Sequence, residues 1–540
     1  MNLFAELTTE NKLIVLVMIV VSLLGFILLF RKGMINRIIG ILITIGIVSL
    51  YFYFFKGNNL FIGLLLVPPF IIGLLTSFFK SKPKEPNPKE VHFPANRKNI
   101  FIPNVNTGVF IVAGAGSGKT ESPIYYLMKH FAEHQFTGVI YDYKNGELSE
   151  IAFGLFGDRL KPIALHNVDY SYRINPIAPE YIENEVDIEN ISKSILVNLK
   201  GKDEKEDFFY SAGAGLFAAI ILKLRKYHPD MCTLPHAVAF FLSLEELLNA
   251  DGEENPQPFK PLVDWLKTDH RVMSQASAFL MGIQSTRQTA AVLASLASLL
   301  RKVVNLEAFY ILSGNEINLN VNDPEIDIVL SVINEPKNAT ALTPLLAAIL
   351  QTTTSQMMQR NRKQSFVLLD EAPTVKLLNM AKIPATMRSF GVSTVYAIQD
   401  ISQGYVQYGR DDFREITSNL GTQILGKSND PDTAKFNEQY FELVKEKQVS
   451  KNLKGGSDLF GSTNSRTISQ REVSKVRAYE FTQFKVGQFA FISGGKSQVI
   501  QFRKAAINKP QLNRVRTVSK EDLELHFQKI FDDVRTLFYE

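Results

Sequence analysis

Two short runs hold the residues best suited to chemistry. Residues 107–120 read TGVFIVAGAGSGKT, and residues 366–371 read FVLLDE. The first fits Gly-x-x-x-x-Gly-Lys-Ser/Thr with alanine in the opening position: Ala113, Gly114, Ala115, Gly116, Ser117, Gly118, Lys119 and Thr120. Glycines there let successive backbone N–H groups curl around a phosphate. Lys119 then serves the β- and γ-phosphates, and Thr120 holds Mg²⁺. In the second run, four apolar residues lead into two carboxylates. Asp370 suits the Mg²⁺ shell and Glu371 suits polarising an attacking water. Either run alone is weak evidence; paired, they point to ATP and Mg²⁺ as cofactors of a nucleotide hydrolase.

These side chains need elements to hold them. Val109 to Val112 has the β-branched and aromatic character of a buried strand. Beyond the glycines, Tyr125, Leu127, Met128 and Phe131 make one apolar helix face, with Pro123 in the first turns. Strand, loop, helix is the order that places an anion on a helix N-terminus. A second strand, Gly138 to Tyr141, runs into Asp142–Glu147. That segment is either an ordinary charged turn or a wall of the nucleotide site. A further strand, Ser393 to Ile398, ends at Gln399, which either starts a turn or contacts the γ-phosphate. Arg388, ahead of that strand, is a surface charge or an arginine finger for a neighbouring subunit. Residues 493–498, SGGKSQ, mimic a transporter signature but follow the Asp-Glu pair by over 120 positions. They read as a β-turn between Gln488–Ile492 and Gln498–Phe502.

Lys119 and Asp370 lie 251 positions apart, far more than a minimal nucleotide fold requires. The intervening residues 184–305 read as helical. Phe208 to Leu224 is apolar and rich in small residues, and charged flanks make it a core helix. The expected organisation is a nucleotide-binding domain in two parts, 100–229 and 306–515. An all-helical domain at 230–305 interrupts it, and a helical tail at 516–540 follows. Residues 443–477 carry eight basic side chains against three acidic ones in a Ser-, Gly- and Asn-rich context. They are either a solvated loop or a flexible segment touching nucleic-acid phosphates.

The chain has 540 residues, 46% of them hydrophobic and 21% charged, with a mean hydropathy of +0.01. It is too apolar to be disordered, and its single cysteine, Cys232, excludes a disulfide scaffold. The apolar excess is concentrated at the start. Leu13–Phe30, Ile38–Phe55 and Leu60–Phe79 are uncharged, and each is close to the ~20 residues of a membrane span. Residues 1–80 are therefore read as an anchor of about three helices. Arg31, Lys32 and Arg37 in the first loop, and Lys80, Lys82 and Lys84 after the third run, place those segments in the cytoplasm. Pro68-Pro69 leaves a re-entrant third segment open. The net charge is +5, but +3 of it belongs to the anchor and reports orientation. Residues 81–99 are expected to form a proline-rich, solvated linker.

With these motifs in place, the chain resembles the coupling proteins of type IV secretion and conjugation systems. The resemblance rests on the anchor followed by AGAGSGKT, on VIYDYKNGELS, on INPI at 174–177, and on LLDEAPTVKLLNMAKIPATMRSFGVSTVYAIQDISQGYVQYG. Asn419, Gly421 and DPDTAKFNEQYF continue it, and it spans about 105 to 505. It implies a RecA-like P-loop ATPase of α/β class, carrying an all-alpha insertion and anchored by transmembrane helices in the bacterial inner membrane. It implies a homo-hexamer that meets relaxase-bound single-stranded DNA and the type IV secretion channel. At matching positions Lys119, Thr120, Asp370 and Glu371 take the Walker roles, Gln399 senses γ-phosphate and Arg388 is the finger between subunits. The sequence departs from the family pattern in Asp400 after Gln399, in Ala372 after Glu371, and in three spans rather than two. Two rival readings share the residues: a coupling ATPase for secreted protein effectors, and a cargo-docking receptor with little motor activity.

Overall fold

The computed structural model describes residues 87–95, 100–200, 208–249, 259–452 and 465–537, with seven isolated positions between 39 and 53. The chain divides into two compact units, Met1–Asn87 and Pro88–Glu540. The three apolar runs expected to span a membrane lie almost wholly outside the described residues. Among the described residues no single helix is long and apolar enough to cross one.

Residues 88–540 are built on a sheet of nine strands. Its spatial order is β13 (Lys496–Gln501), β12 (Gln488–Ser493), β9 (Thr422–Leu425), β3 (Val109–Val112), β8 (Val392–Ile398), β7 (Ser365–Leu369), β4 (Thr137–Asp142), β6 (Val329–Ile333) and β5 (Leu160–Ala164). The seven strands from β9 to β5 are parallel, and β12 and β13 add an antiparallel edge. Strands covered on both faces read as continuous apolar runs, as VFIV in β3 and SFVLL in β7 do. Their side chains still alternate between two cores. Phe110, Val112, Tyr141, Val367 and Leu369 face one, and Val109, Ile111, Ile140, Phe366 and Leu368 face the other.

The register brings the motifs together. Val112 pairs with Ile398 and Leu425, and Leu369 pairs with Tyr141 and Tyr396. Ligands of open parallel sheets collect outside these carboxyl ends. The SGGKSQ run is a hairpin between β12 and β13, whose Gly494 and Gly495 both have positive φ (56° and 74°).

Helices occupy the long insertion from Glu185 to Leu312. Phe208–Tyr227, which sequence placed in the nucleotide-binding part, packs on Thr286–Arg301 and on the two short helices before it. Its small residues explain the close approach: a Cβ on Gly215 would sit 2.6 Å from the Gln275 carbonyl oxygen. The INPI segment pins this layer, since buried Asn175 donates to the Cys232 carbonyl at 2.8 Å.

Two segments differ from expectation. Within the presumed linker, Val91–Phe93 (β1) pairs with Ile100–Ile102 (β2), and Val91 and Phe93 are fully buried. The prolines and charges around them hid a short strand. The basic segment expected to be flexible forms a ribbon, Leu443–Asn452 (β10) against Ser465–Ser474 (β11). Residues 453–464 lie outside the described residues. Beyond β13 the chain crosses back over the core on four ion pairs: Lys504–Glu121, Lys509–Glu147, Arg514–Asp169 and Arg516–Glu316. It ends in a helix, Lys520–Thr536, packed on Leu234–Asn249 and Leu306–Leu312.

Candidate functional site

The glycine loop leaves β3 at Ala113 and turns on Gly116 and Gly118, with φ of 70° and 88°. L-residues rarely adopt these values, so the glycines are required by the path. Gly114 N–H donates to the Lys427 carbonyl at 2.8 Å, and Gly487 N–H donates to the Ser117 carbonyl at 2.8 Å. The loop is thereby gripped from β9 on one side and from the start of β12 on the other. The helix that follows opens with a π turn, Thr120–Ile124, before Tyr125–Glu133. Pro123 accounts for the wide turn. It lacks an N–H and its ring crowds the carbonyl four residues back, which is that of Lys119. That carbonyl is instead taken five residues on, by Ile124 N–H at 3.3 Å.

A cavity of about 320 Å³ opens in front of this loop. Residues 113–121 line it with Lys144, Glu147, Glu371, Gln399 and Val486. Lys119 Nζ lies 2.7 Å from Glu371 Oε1 and 3.2 Å from Asp370 Oδ1, and all three side chains are buried. Burial opposes a charge on Lys119, but the two carboxylates outweigh it and hold the ammonium above its ordinary pKa. Gln399, at the end of β8, donates from Nε2 to Glu371 Oε1 at 2.9 Å. Every predicted site residue except Arg388 therefore lies in or beside this cleft.

Arg388 is exposed, at the end of the helix Ile383–Ser389 and before β8 begins. β8 runs seven residues from there to the cleft, roughly 23 Å at ~3.3 Å per residue. Arg388 cannot reach the cleft of its own chain.

The Asp142–Glu147 segment divides its duties. Asp142 is fully buried and does not line the cavity. It accepts from Lys144 N–H at 2.9 Å and from Ser149 N–H and hydroxyl at 2.8 and 2.7 Å, fixing the start of the helix Glu147–Phe156. Burial raises its carboxyl pKa against those bonds. Lys144 and Glu147 line the cavity; of the two, it is Lys144 that approaches the acids, 3.8 Å from Asp370 and 3.7 Å from Glu371. Sequence reasoning did not single it out; the signal was a lysine two positions beyond a strand end. Val486, at the cavity wall, had no local signal. The departure at Asp400 is explained: it caps the helix Ile401–Tyr408 by accepting from Gln403 N–H at 3.2 Å. Aspartate and serine are both good N-caps.

The donor set suits a magnesium nucleotide. Thr120 and Asp370 offer hard oxygens; Ser117 Oγ is buried without a hydrogen-bond partner, and Asp370 Oδ1 faces the Lys119 ammonium at 3.2 Å. Mg²⁺ is held through one or two carboxylates plus phosphate and water oxygens, so the Asp370 carboxylate, buried beside the Lys119 ammonium, fits.

A family model described as type IV secretory system conjugative DNA transfer matches residues 86–485. No curated protein matches the chain. Among solved structures, the bacterial conjugative coupling protein TrwBdeltaN70 in its unbound monoclinic form superposes with a TM-score of 0.60 at 16% identity. That match covers 82% of this chain and 94% of that one. TrwB in complex with the ATP analogue ADPNP gives 0.56 at 15% identity, covering 76% and 89%. TrwB with ADP and Mg²⁺ gives 0.55 at 15% identity, covering 76% and 88%.

Proposed function

The chain belongs to the type IV secretory system conjugative DNA transfer family, and on that footing we propose that it is a membrane-anchored, ATP-driven coupling protein. It works as a homo-hexamer at the bacterial inner membrane and passes relaxase-bound single-stranded DNA to a type IV secretion channel. The observation that carries this reading is the convergence of Lys119, Asp370, Glu371 and Gln399 at the ends of three adjacent strands. TrwB, of similar fold, has been solved with ADPNP and with ADP and Mg²⁺, which supports ATP and Mg²⁺ here.

In this mechanism residues 114–119 cradle the phosphates, and Lys119 exchanges its carboxylate partners for the β- and γ-phosphates. Thr120 and Asp370 hold Mg²⁺, which neutralises phosphate charge when bound. Glu371, released from Lys119, accepts a proton from the attacking water. The water oxygen bonds to the γ-phosphorus as the bond to the leaving ADP oxygen breaks. Gln399 bridges Glu371 and the γ-phosphate, so it reports whether that phosphate is attached. Arg388 completes the site of a neighbouring copy, since its own cleft is out of reach.

Glu371→Gln in the purified full chain tests the reading. It should bind ATP with wild-type affinity and turn it over at least a hundredfold more slowly. Single-stranded DNA should stimulate the wild-type rate. Wild-type hydrolysis indifferent to DNA but raised by a secreted protein would replace the DNA cargo with a protein one. Negligible hydrolysis under all conditions would leave a docking receptor.

A further inference from the structure

The backbone of Glu371 is left-handed, with φ 52° and ψ 46°. Glutamate is not a residue that favours this region, and such conformations persist where the surroundings over-determine them. Here the surroundings are a chain of hydrogen bonds, buried at Asn334 and half-buried at Thr374. Thr374 donates to the Glu371 carbonyl twice, from Oγ1 at 2.7 Å and from N–H at 2.9 Å. Having spent its one hydroxyl proton on that carbonyl, Thr374 Oγ1 can only accept from the Tyr141 hydroxyl at 3.0 Å. The Tyr141 oxygen in turn accepts from Asn334 Nδ2 at 2.9 Å, and Asn334 also donates to Thr343 Oγ1 at 2.8 Å. From Asn334 through Tyr141 to Thr374, each bond of this chain donates towards Glu371.

The fold places this chain. Tyr141 is in β4, Asn334 follows β6, and Thr374 sits in the turn after β7, so the bonds cross three neighbouring strands at their carboxyl ends. Tyr141 and Asn334 are completely buried. Phenylalanine would fill the Tyr141 site as well by volume. The hydroxyl adds only a polar group that must be paired, and its pairing ends on the peptide of Glu371.

We propose that Tyr141 and Thr374 are positioning residues for ATP hydrolysis: their hydroxyls fix the Glu371 peptide in its left-handed turn, which aims the Glu371 carboxylate at Lys119 and Gln399. The inference rests on Glu371 being the group that activates water. Neither hydroxyl touches the cleft, so neither contributes to nucleotide affinity.

The test uses the full chain with Thr374→Val, Thr374→Ser and Tyr141→Phe, measuring kcat and KM for ATP, affinity for a non-hydrolysable ATP analogue, and Tm. Thr374→Val and Tyr141→Phe should each lower kcat about tenfold, with KM and analogue affinity within twofold of wild type. Thr374→Ser, which keeps the hydroxyl, should hold kcat within twofold. A purely structural role would lower Tm and leave kcat unchanged, and that outcome overturns the proposal. So does a Thr374→Ser enzyme as slow as Thr374→Val. If Tyr141→Phe does not fold, the Thr374 pair decides alone. Glu371→Gln is the control: if it hydrolyses ATP at the wild-type rate, the role of Glu371 itself has failed and the positioning role falls with it. If it is inactive while Thr374→Val is fully active, only the positioning role is refuted.

Discussion

Lys119→Ala should have two effects of similar size, one from its carboxylate contacts and one from the phosphate contacts proposed to replace them. The ammonium is buried against Glu371 at 2.7 Å and Asp370 at 3.2 Å. Removing one partner of a buried ion pair costs about 3–5 kcal/mol, because the remaining charge is left uncompensated. Lys144 stays 3.7–3.8 Å from both acids and is partly exposed, so the lower end, about 3 kcal/mol, applies. The unit Pro88–Glu540 has about 450 residues, and at about 2.1 cal/mol/K per residue its unfolding entropy is about 0.95 kcal/mol/K. The substitution should therefore lower Tm by about 3 °C without nucleotide. Wild-type protein with nucleotide at a hundred times Kd gains about 2.7 kcal/mol, again about 3 °C, and the variant should gain nothing. The pH dependence has a definite sign. The folded Lys119 pKa lies above 10.5, so its contribution is constant through neutral pH and is lost only as pH rises beyond that value. Differential scanning fluorimetry of the full chain, with and without nucleotide at pH 7.5, reads both effects. A variant as stable as wild type at pH 7.5, or one still stabilised by nucleotide, would refute the argument.

Arg388→Ala should keep the nucleotide-induced Tm shift and lose at least tenfold in ATPase rate. Mixing it with Lys119→Ala subunits should restore part of the rate, since the second supplies the arginine to the intact loop of the first; no recovery would exclude a role between subunits. Gly404→Ala would put a Cβ 2.2–2.6 Å from the Phe413 ring. Overpacking of this kind costs about 1–3 kcal/mol, and an unchanged Tm would contradict it. His526 in the terminal helix is pushed down to about 4, by burial first and then by the Arg173 charge, while it bonds the Ser313 hydroxyl at 2.6 Å. A depressed folded pKa makes the docking of residues 520–536 fully stable above 6.5 and progressively weaker as pH falls towards 4. Hydrogen exchange of that helix at pH 7.5 and 4.5 should show the loss, and His526→Gln should flatten it.

What could be read from sequence, and what could not, follows from the range of the forces involved. The glycine loop declares itself because its chemistry is local: consecutive N–H groups and one lysine. β3, β7 and β8 declare themselves because strands covered on both faces are near-continuous apolar and β-branched runs, so the charged and amide residues at their ends, Asp370, Glu371 and Gln399, stand out. Lys144 and Val486 enter the cleft only because β4 lies beside β7 and the start of β12 grips the loop. No periodicity encodes strand order. The β10–β11 ribbon was illegible for another reason: its residues are polar, without the alternation that a half-buried strand displays. Val91–Phe93 was too short to emerge from its prolines.

Strand order also determines which assignments a single chain can complete. Glu371 lies 252 positions from Lys119, yet their side chains meet at 2.7 Å, because only β8 separates β3 from β7 and all three run the same way. Gln399 and Arg388 are only eleven positions apart, yet β8 carries them to opposite ends of the sheet. Parallel strands gather at one edge everything that follows a strand and leave at the other everything that precedes one. An arginine that precedes β8 can therefore serve this chemistry only across a boundary between two copies of the chain. For that reason the mixed-subunit experiment, rather than any single substitution, tests the proposed assembly.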